Sequence, residues 1–147
     1  MEIQALWVRA LEVGETLARG FGEADYADRC RSDRSKAIAS FRKRFWHKQG
    51  GYLYDVIDGP EGNDASLRPN QLYAISLVDE LVPHDRAQQI LRLVKEQLLT
   101  PVGLRTLSST DSRYRARYEG GVLERDSAYH QGTVSYTHLT LPTTSRV

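Results

Sequence analysis

Two polar segments of the chain carry most of the side chains that could bind a ligand. The first segment contributes Asp58, Glu61, Asn63, Asp64, Arg68, Asn70 and Gln71. The second contributes Arg117, Tyr118, Glu119, Glu124, Arg125, Asp126, Tyr129, His130 and Gln131. A neutral sugar presents hydroxyls and an apolar ring face, so it is bound by such polar groups together with a stacked aromatic ring. Ordinary polar loops share this composition, so it is compatible with sugar binding without establishing it.

Other chemistries find less support in the residue types and their spacing. The histidines at positions 47, 84, 130 and 138 lack the paired spacing of metal ligands. Gly50-Gly51 and Gly120-Gly121 lack both the strand-to-helix setting and the lysine of a phosphate-binding loop. No Gly-x-Ser-x-Gly segment occurs. We therefore expect no metal site and no cofactor.

Composition and charge narrow the range of partners. The 147 residues are 40% hydrophobic and 27% charged, which is typical of a globular chain. A net charge of +1 gives no electrostatic basis for binding nucleic acid or an anionic membrane. The basic run Arg42-Lys43-Arg44, flanked by Phe41 and Phe45, is interpreted as a solvated helix face edged by core aromatics. No apolar run approaches the roughly 20 residues that span a bilayer.

The single cysteine, Cys30, bears on the compartment. It cannot form an internal disulfide, so a reducing, cytoplasmic environment is expected. It lies in a helical segment without a catalytic signature, which favours a small buried hydrophobe over a nucleophile.

Helical periodicity predicts the elements that would position the polar segments. Four helices are expected, at about residues 2–19, 24–47, 69–81 and 86–99. The apolar stripe of the first helix is expected to comprise Ile3, Leu6, Trp7, Ala10, Leu11, Leu17 and Ala18. For Trp7, packing in the core is favoured over stacking on a sugar, which stays open. Residues 52–57 have strand-like composition, and a long loop is expected over 104–126. These elements indicate an all-α fold of stacked helical hairpins, an α-solenoid or α/α toroid, with one short β-ribbon or extended loop near 52–57.

The last residues differ in composition from the rest of the chain. Residues 135–147 are rich in threonine and have no helical period, so they are interpreted as a non-native tail outside the fold.

Four blocks of sequence resemble bacterial-type glycogen-debranching enzymes of the amylo-α-1,6-glucosidase family. The blocks are Glu2 to Trp7, Asp64 to Gln71, Thr100 to Leu107, and Tyr114 to Gly120 followed by Arg125 to Val134. They occur in the family's order and spacing over nearly all of residues 1–134. The resemblance implies that residues 1–134 are a fragment of a glucoamylase-like (α/α)6 barrel.

The resemblance also implies a reaction, the hydrolysis of the α-1,6-linked glucose left at a trimmed glycogen branch. It implies an inverting mechanism, in which one carboxylic acid protonates the leaving oxygen and a carboxylate base activates water. The family's acid lies in a Trp-Met-Asp block upstream of Glu2, and its base lies well downstream of the His-Gln-Gly block. We therefore expect no catalytic residue among these 147 residues, and no activity from them alone.

Substrate-binding roles are implied for residues in the matched blocks. They are Glu2, Gln4, Asp64, Arg68, Asn70, Gln71, Arg125, Asp126, Tyr129, His130 and Gln131. Glu2 could equally be a first-turn acid favoured by the helix dipole. Arg68 could contact substrate or brace the site through a forked contact with a carboxylate. Asp64, Asn70 and Gln71 could bind sugar or cap the backbone, whereas a substrate role is favoured for His130 and Gln131.

The expected partners are glycogen or limit dextrin and the remaining barrel hairpins of the parent chain. Two other functions stay open. One is a different glycoside hydrolase of the same toroid, similar to glucoamylase or trehalase. The other is a non-catalytic helical module that binds glycans.

Overall fold

The computed structural model describes residues 1–117 and 121–133, except for the side chain of Ser127. Over these residues the chain forms helices and short antiparallel strand pairs. The helices are α1 (Glu2–Gly20), α2 (Ala24–Arg44), α3 (Gln71–Ser76), α4 (His84–Gln97) and α5 (Val122–Ala128). The strands are β1 (Trp46–His47), β2 (Tyr52–Leu53), β3 (Val56–Gly59), β4 (Gly62–Asp64), β5 (Leu99–Thr100) and β6 (Gly103–Leu104).

The chain divides into two compact units. Unit 1 comprises Met1–Ala65 and Asn70–Ile90, whereas unit 2 comprises Ser66–Pro69 and the described residues from Leu91 onward. In unit 1, α1 and α2 pack together as a helical hairpin. A Cβ added at Gly14 would lie 3.3 Å from the Cys30 sulfur, so these two helices approach closely. Cys30 is buried, as the sequence predicted.

The stripe predicted for α1 is only partly correct. Leu11 and Ala18 are buried, together with Ala5 and Val8, which the prediction omitted. The remaining predicted stripe residues are exposed: Ile3, Leu6, Trp7, Ala10 and Leu17. Trp7 is 53% exposed, so its expected place in the core is wrong. The buried face of α1 therefore comprises Ala5, Val8, Leu11 and Ala18, and the other large apolar residues form a second stripe that the described residues leave exposed.

The basic end of α2 agrees with the sequence interpretation. Phe41 and Phe45 are buried and stacked with ring centroids 4.7 Å apart, whereas the three basic residues between them are exposed. The helix ends at Arg44 rather than at residue 47, because Trp46 and His47 pair with β2. The side chain of Arg86 lies over the Trp46 ring, 4.5 Å from its centroid.

The ribbon predicted at 52–57 is divided between two strand pairs. Its first part, β2, pairs with the preceding strand β1. Its second part lies in β3, which pairs with the following strand β4. The polar stretch from Asp58 to Asp64 therefore forms the end of β3, the turn that follows it and the whole of β4. Asp58 has a positive φ of 54°, and it lies where the pairing of β3 with β4 is irregular, between Val56 and Gly59. A third pair, β5 with β6, follows α4.

The later helices differ from the prediction in length and number. The predicted helix 69–81 is α3 alone, over Gln71–Ser76, and the predicted helix 86–99 is α4, over His84–Gln97. The region expected to be a loop at 104–126 contains the start of α5. In unit 2, the fully buried side chains include Val94, Leu98, Leu104 and Leu107.

Some predictions lie outside the described residues. These concern Tyr118, Glu119, Gly120, His138 and the tail 135–147. Among the helices that the structure describes, none is both long and apolar enough to cross a membrane.

Candidate functional site

In unit 1, several of the predicted site residues meet around Asp55. Its carbonyl accepts a hydrogen bond from the Met1 nitrogen at 2.8 Å, which ties the start of α1 to this loop. Its backbone N–H donates to the Asp64 carbonyl at 2.9 Å. Its carboxylate accepts a hydrogen bond from the Asn70 amide at 3.4 Å. Glu2, Asp64 and Asn70, which are distant in sequence, are thereby brought to one side of unit 1.

Gln71 is a brace within this same unit. It is 1% exposed, and its amide oxygen accepts a hydrogen bond from the Leu53 N–H at 3.3 Å. That contact fixes the start of α3 to β2. A contact between Gln71 and substrate stays a prediction, and it would require the buried amide to become accessible.

Aromatic rings line the segment between β1 and β3. The His47 ring lies 5.2 Å from the Tyr52 ring and 4.7 Å from the Tyr54 ring, measured between centroids. The Tyr52 hydroxyl donates to the Ala65 carbonyl at 2.7 Å. The Nδ1 atom of His47 is buried and has no hydrogen-bond partner within residues 1–117 and 121–133. Such an atom is uncommon in a folded protein, because its desolvation is not offset.

In unit 2, Arg68 makes the densest set of contacts among the predicted site residues. Its guanidinium donates to the Thr106 carbonyl at 3.1 Å and to the His130 carbonyl at 2.6 Å. It also donates to the amide oxygen of Gln131 at 3.2 Å. A rigid guanidinium fork suits several acceptors at once. The residues 128–133, called here the histidine turn, are therefore held against Arg68 and Thr106.

The backbone of the histidine turn is specialised at two positions. His130 has a positive φ of 62°, which is uncommon for a residue other than glycine. Gly132 has a φ of 128°, and its N–H donates to the Thr106 hydroxyl at 3.0 Å. A Cβ at Gly132 would lie 2.3 Å from the Tyr114 ring, so the turn requires glycine there. These constraints fix the direction in which the turn presents its side chains.

The histidine turn presents two neighbouring rings. The rings of Tyr129 and His130 lie 4.2 Å apart between centroids, and both residues are exposed. An imidazole can donate or accept hydrogen bonds, and a phenol ring offers an apolar face for a sugar ring. Arg125 and Asp126 are exposed on α5, directly before this turn.

A second arginine, Arg113, also braces unit 2. Arg113 donates to the Ser66 hydroxyl and to the Asp111 carboxylate, the latter at 3.0 Å. The hydrogen bond from Arg113 lowers the pKa of the Asp111 carboxyl below its ordinary value, although desolvation opposes this effect. The Ser108 N–H donates to the Leu67 carbonyl at 3.1 Å, which also ties the Ser66–Pro69 segment to the loop that follows β6.

The predicted site residues thus form two groups and one outlier. Unit 1 holds Glu2, Asp64, Asn70 and Gln71, whereas unit 2 holds Arg68, Arg125, Asp126, Tyr129, His130 and Gln131. Gln4, the outlier, also belongs to unit 1, and it lines a cavity together with Trp7. Across the part of the chain that the structure describes, no group of three His, Cys, Asp or Glu residues could hold a metal ion.

Sequence reasoning missed the two residues that organise these groups. Asp55 interrupts the apolar run from Tyr52 to Ile57, and this charge in a strand-like segment was the available signal. Thr106 gave no comparable signal, because its role depends on contacts with residues 38 and 26 positions away.

Two comparisons with known proteins point to the same family. A family model described as amylo-alpha-1,6-glucosidase matches residues 1–140. A glycogen debranching enzyme of Saccharomyces cerevisiae is 36% identical over 92 residues. That alignment covers 58% of this chain but 6% of the yeast protein, so the chain spans a small part of this relative. Because the family model covers almost the entire chain, the chain belongs to the amylo-alpha-1,6-glucosidase family.

Proposed function

We propose that this chain is part of the catalytic (α/α)6 barrel domain of a bacterial-type glycogen-debranching enzyme. In this proposal the enzyme removes the α-1,6-linked glucose that remains at a trimmed branch point of glycogen or limit dextrin. The observation that carries the proposal is the family match over residues 1–140. The residues around Asp55 and the histidine turn support it, because each gathers side chains that suit a neutral, hydroxyl-rich ligand.

The inverting two-carboxylate mechanism distinguishes the catalytic carboxylates from the residues that bind the sugar. In that mechanism the acid and base carboxyls stand about 6.5–9.5 Å apart, with the water held between the base and the sugar. We propose that both carboxylates belong to other segments of the enzyme. Residues of this chain would bind glucose units of the glucan without taking part in the proton transfers. In unit 1 these are Glu2, Asp64 and Asn70, and in unit 2 they are Tyr129, His130 and Gln131.

The exposed apolar stripe of α1 supports a further part of this proposal. Ile3, Leu6 and Leu17 are between 46% and 65% exposed, which is unusual for large apolar side chains on one helix. In an (α/α)6 barrel each hairpin packs against its neighbours. We propose that other barrel hairpins of the parent chain cover Ile3, Leu6 and Leu17, whereas Trp7 at the edge of the stripe stays accessible.

The experiment that tests the proposal uses the protein encoded by the complete gene. Purified protein is incubated in parallel with limit dextrin, trehalose and linear maltooligosaccharides, and glucose release is measured. The proposal predicts the highest kcat/KM on limit dextrin. Faster hydrolysis of trehalose or of linear maltooligosaccharides would favour the alternative of another hydrolase with this toroid.

The 147-residue chain is tested separately. It is expected to release no glucose from limit dextrin, because it contributes neither catalytic carboxylate. Measurable glucose release by the purified chain would contradict this assignment. A complete protein that binds glycogen tightly but hydrolyses none of the substrates would instead favour a non-catalytic glycan-binding module.

A further inference from the structure

A cavity of unit 1 is separate from both clusters. It has a volume of about 360 Å³ and lies between the start of α1, the end of α2 and β3. Trp7 contributes an aromatic wall, and the stacked rings of Phe41 and Phe45 also line the cavity. Because Trp7 is 53% exposed, much of its indole surface is open to a ligand. This space is called here the Trp7 cavity.

Polar groups surround the aromatic wall. Gln4, Ser40, Arg44 and Asp58 all line the cavity, and each of these residues is exposed. Arg44 and Asp58 form an ion pair, which bridges the end of α2 to the end of β3. The cavity therefore offers an amide, a hydroxyl and a paired guanidinium and carboxylate around an indole ring.

The chemistry of these groups selects among ligand classes. A single anion is disfavoured, because the one arginine that lines the cavity already has a carboxylate partner. A purely apolar ligand would leave four polar residues poorly solvated. A pyranose ring satisfies both features, since its apolar face stacks on indole while its hydroxyls bind at the ring edge. The volume lies within the range of roughly 300–1,000 Å³ that is typical of small-molecule sites.

We propose that the Trp7 cavity is an α-glucan subsite in which a glucose unit stacks on Trp7 and its hydroxyls bind Gln4 and the Arg44–Asp58 pair. This inference rests on the proposed function for its ligand class. In this proposal Trp7, Arg44 and Asp58 bind part of a glucan chain at a site distinct from the Asp55 cluster.

The chain contains two tryptophans, which allows a direct test of the stacking. The Arg86 guanidinium lies over the ring of the other tryptophan, Trp46. The substitution Trp46→Phe leaves Trp7 as the single tryptophan, so tryptophan fluorescence then reports on Trp7 alone. Titration of this variant with maltoheptaose should shift and saturate the Trp7 emission. An unchanged emission spectrum up to roughly 10 mM maltoheptaose, about ten times a Kd of 1 mM, would overturn the proposal.

Titration calorimetry on the chain with both tryptophans gives a second, independent measurement. Trp7→Ala should weaken maltoheptaose binding at least about tenfold, as expected for a central aromatic contact. Trp7→Phe should retain part of the affinity, because a smaller ring still stacks. Tyr26→Ala is the matched control, because Tyr26 is 52% exposed and lies outside the cavity.

The outcomes separate this subsite from the proposed function. Equal affinities for the unsubstituted chain and the Trp7→Ala variant would overturn the subsite, as would the absence of maltoheptaose binding to the chain. Neither result changes the expected activity of the complete protein on limit dextrin. Loss of that activity preference would instead refute the proposed function.

Discussion

Arg68 is the position at which a single substitution should affect the candidate site most clearly. Its guanidinium binds the carbonyls of Thr106 and His130 and the side-chain oxygen of Gln131, at 3.1, 2.6 and 3.2 Å. Hydrogen bonds from a charged donor contribute about 1.5–3 kcal/mol each, and less where water can replace the donor. Because Arg68 is half-buried, we expect Arg68→Ala to lower the free energy of unfolding by about 2–4 kcal/mol.

Urea denaturation followed by circular dichroism measures this change. With a denaturant slope of about 1–3 kcal/mol per M, the midpoint should fall by roughly 1–2 M. Hydrogen exchange locates the effect, because the Gly132 N–H bonds to Thr106 and the Arg115 N–H bonds to the Gln131 carbonyl. Both amides should exchange faster in the variant, since the histidine turn loses its brace.

Two further variants define what would refute this reasoning. Arg68→Lys keeps the charge but loses the fork, so it should lose about half as much stability as Arg68→Ala. Arg92→Ala removes an exposed arginine of α4 and should change stability by less than about 0.5 kcal/mol. If Arg68→Ala and Arg92→Ala were equally stable, and exchange at Gly132 were unchanged, Arg68 would not hold the histidine turn.

Three more predictions concern residues that stabilise the two units, namely Gln71, Gly132 and Asp111. Gln71→Leu should lower the free energy of unfolding by about 1–3 kcal/mol in urea denaturation, because it leaves a buried backbone N–H of β2 without its acceptor. Gly132→Ala should lower the melting temperature by several degrees, because alanine is strained at a φ of 128° and its Cβ would meet the Tyr114 ring. Asp111→Asn should flatten the acid side of the stability profile. The pKa of Asp111 is lowered on folding, so its contribution is complete above the ordinary value of 3.8 and is lost as the pH falls below it.

Each of these predictions has a control within the chain. Gln88→Leu replaces an exposed glutamine and should be nearly neutral. Gly20→Ala places a Cβ where no atom lies within 4 Å, so it should be neutral or slightly stabilising. For the pH profile, Asp126→Asn replaces an exposed carboxylate of unit 2. If Gln71→Leu, Gly132→Ala or Asp111→Asn behaved like its control, the stabilising role inferred for that residue would be wrong.

The long helices could be predicted from the sequence because their signals are local. Glycines and polar residues bound α1 and α2, and α4 has a regular apolar stripe. The burial of α1 could not be predicted in the same way. Its two apolar stripes have similar periodicity, and the partner helix covers the one that begins with Ala5 and Val8. Periodicity identifies a stripe without identifying its neighbour.

The irregular parts depend on contacts that local patterns do not contain. The run 52–57 favours a strand, but its division between two hairpins follows from pairing with β1 on one side and β4 on the other. Likewise, the type of Arg68 indicated a forked contact, whereas its described partners include a carbonyl 62 positions away. The resemblance implied substrate-binding roles for Arg68 and Gln71, whereas the contacts that the structure describes for both residues brace the fold.

Glucose release from limit dextrin by the protein of the complete gene, followed by proton NMR, tests the central claim most directly. If the chain is part of an inverting amylo-α-1,6-glucosidase, β-glucose should appear first and later mutarotate to the equilibrium mixture. Limit dextrin should be hydrolysed in preference to trehalose and to linear maltooligosaccharides. Absence of glucose release, or a preference for trehalose, would contradict the account.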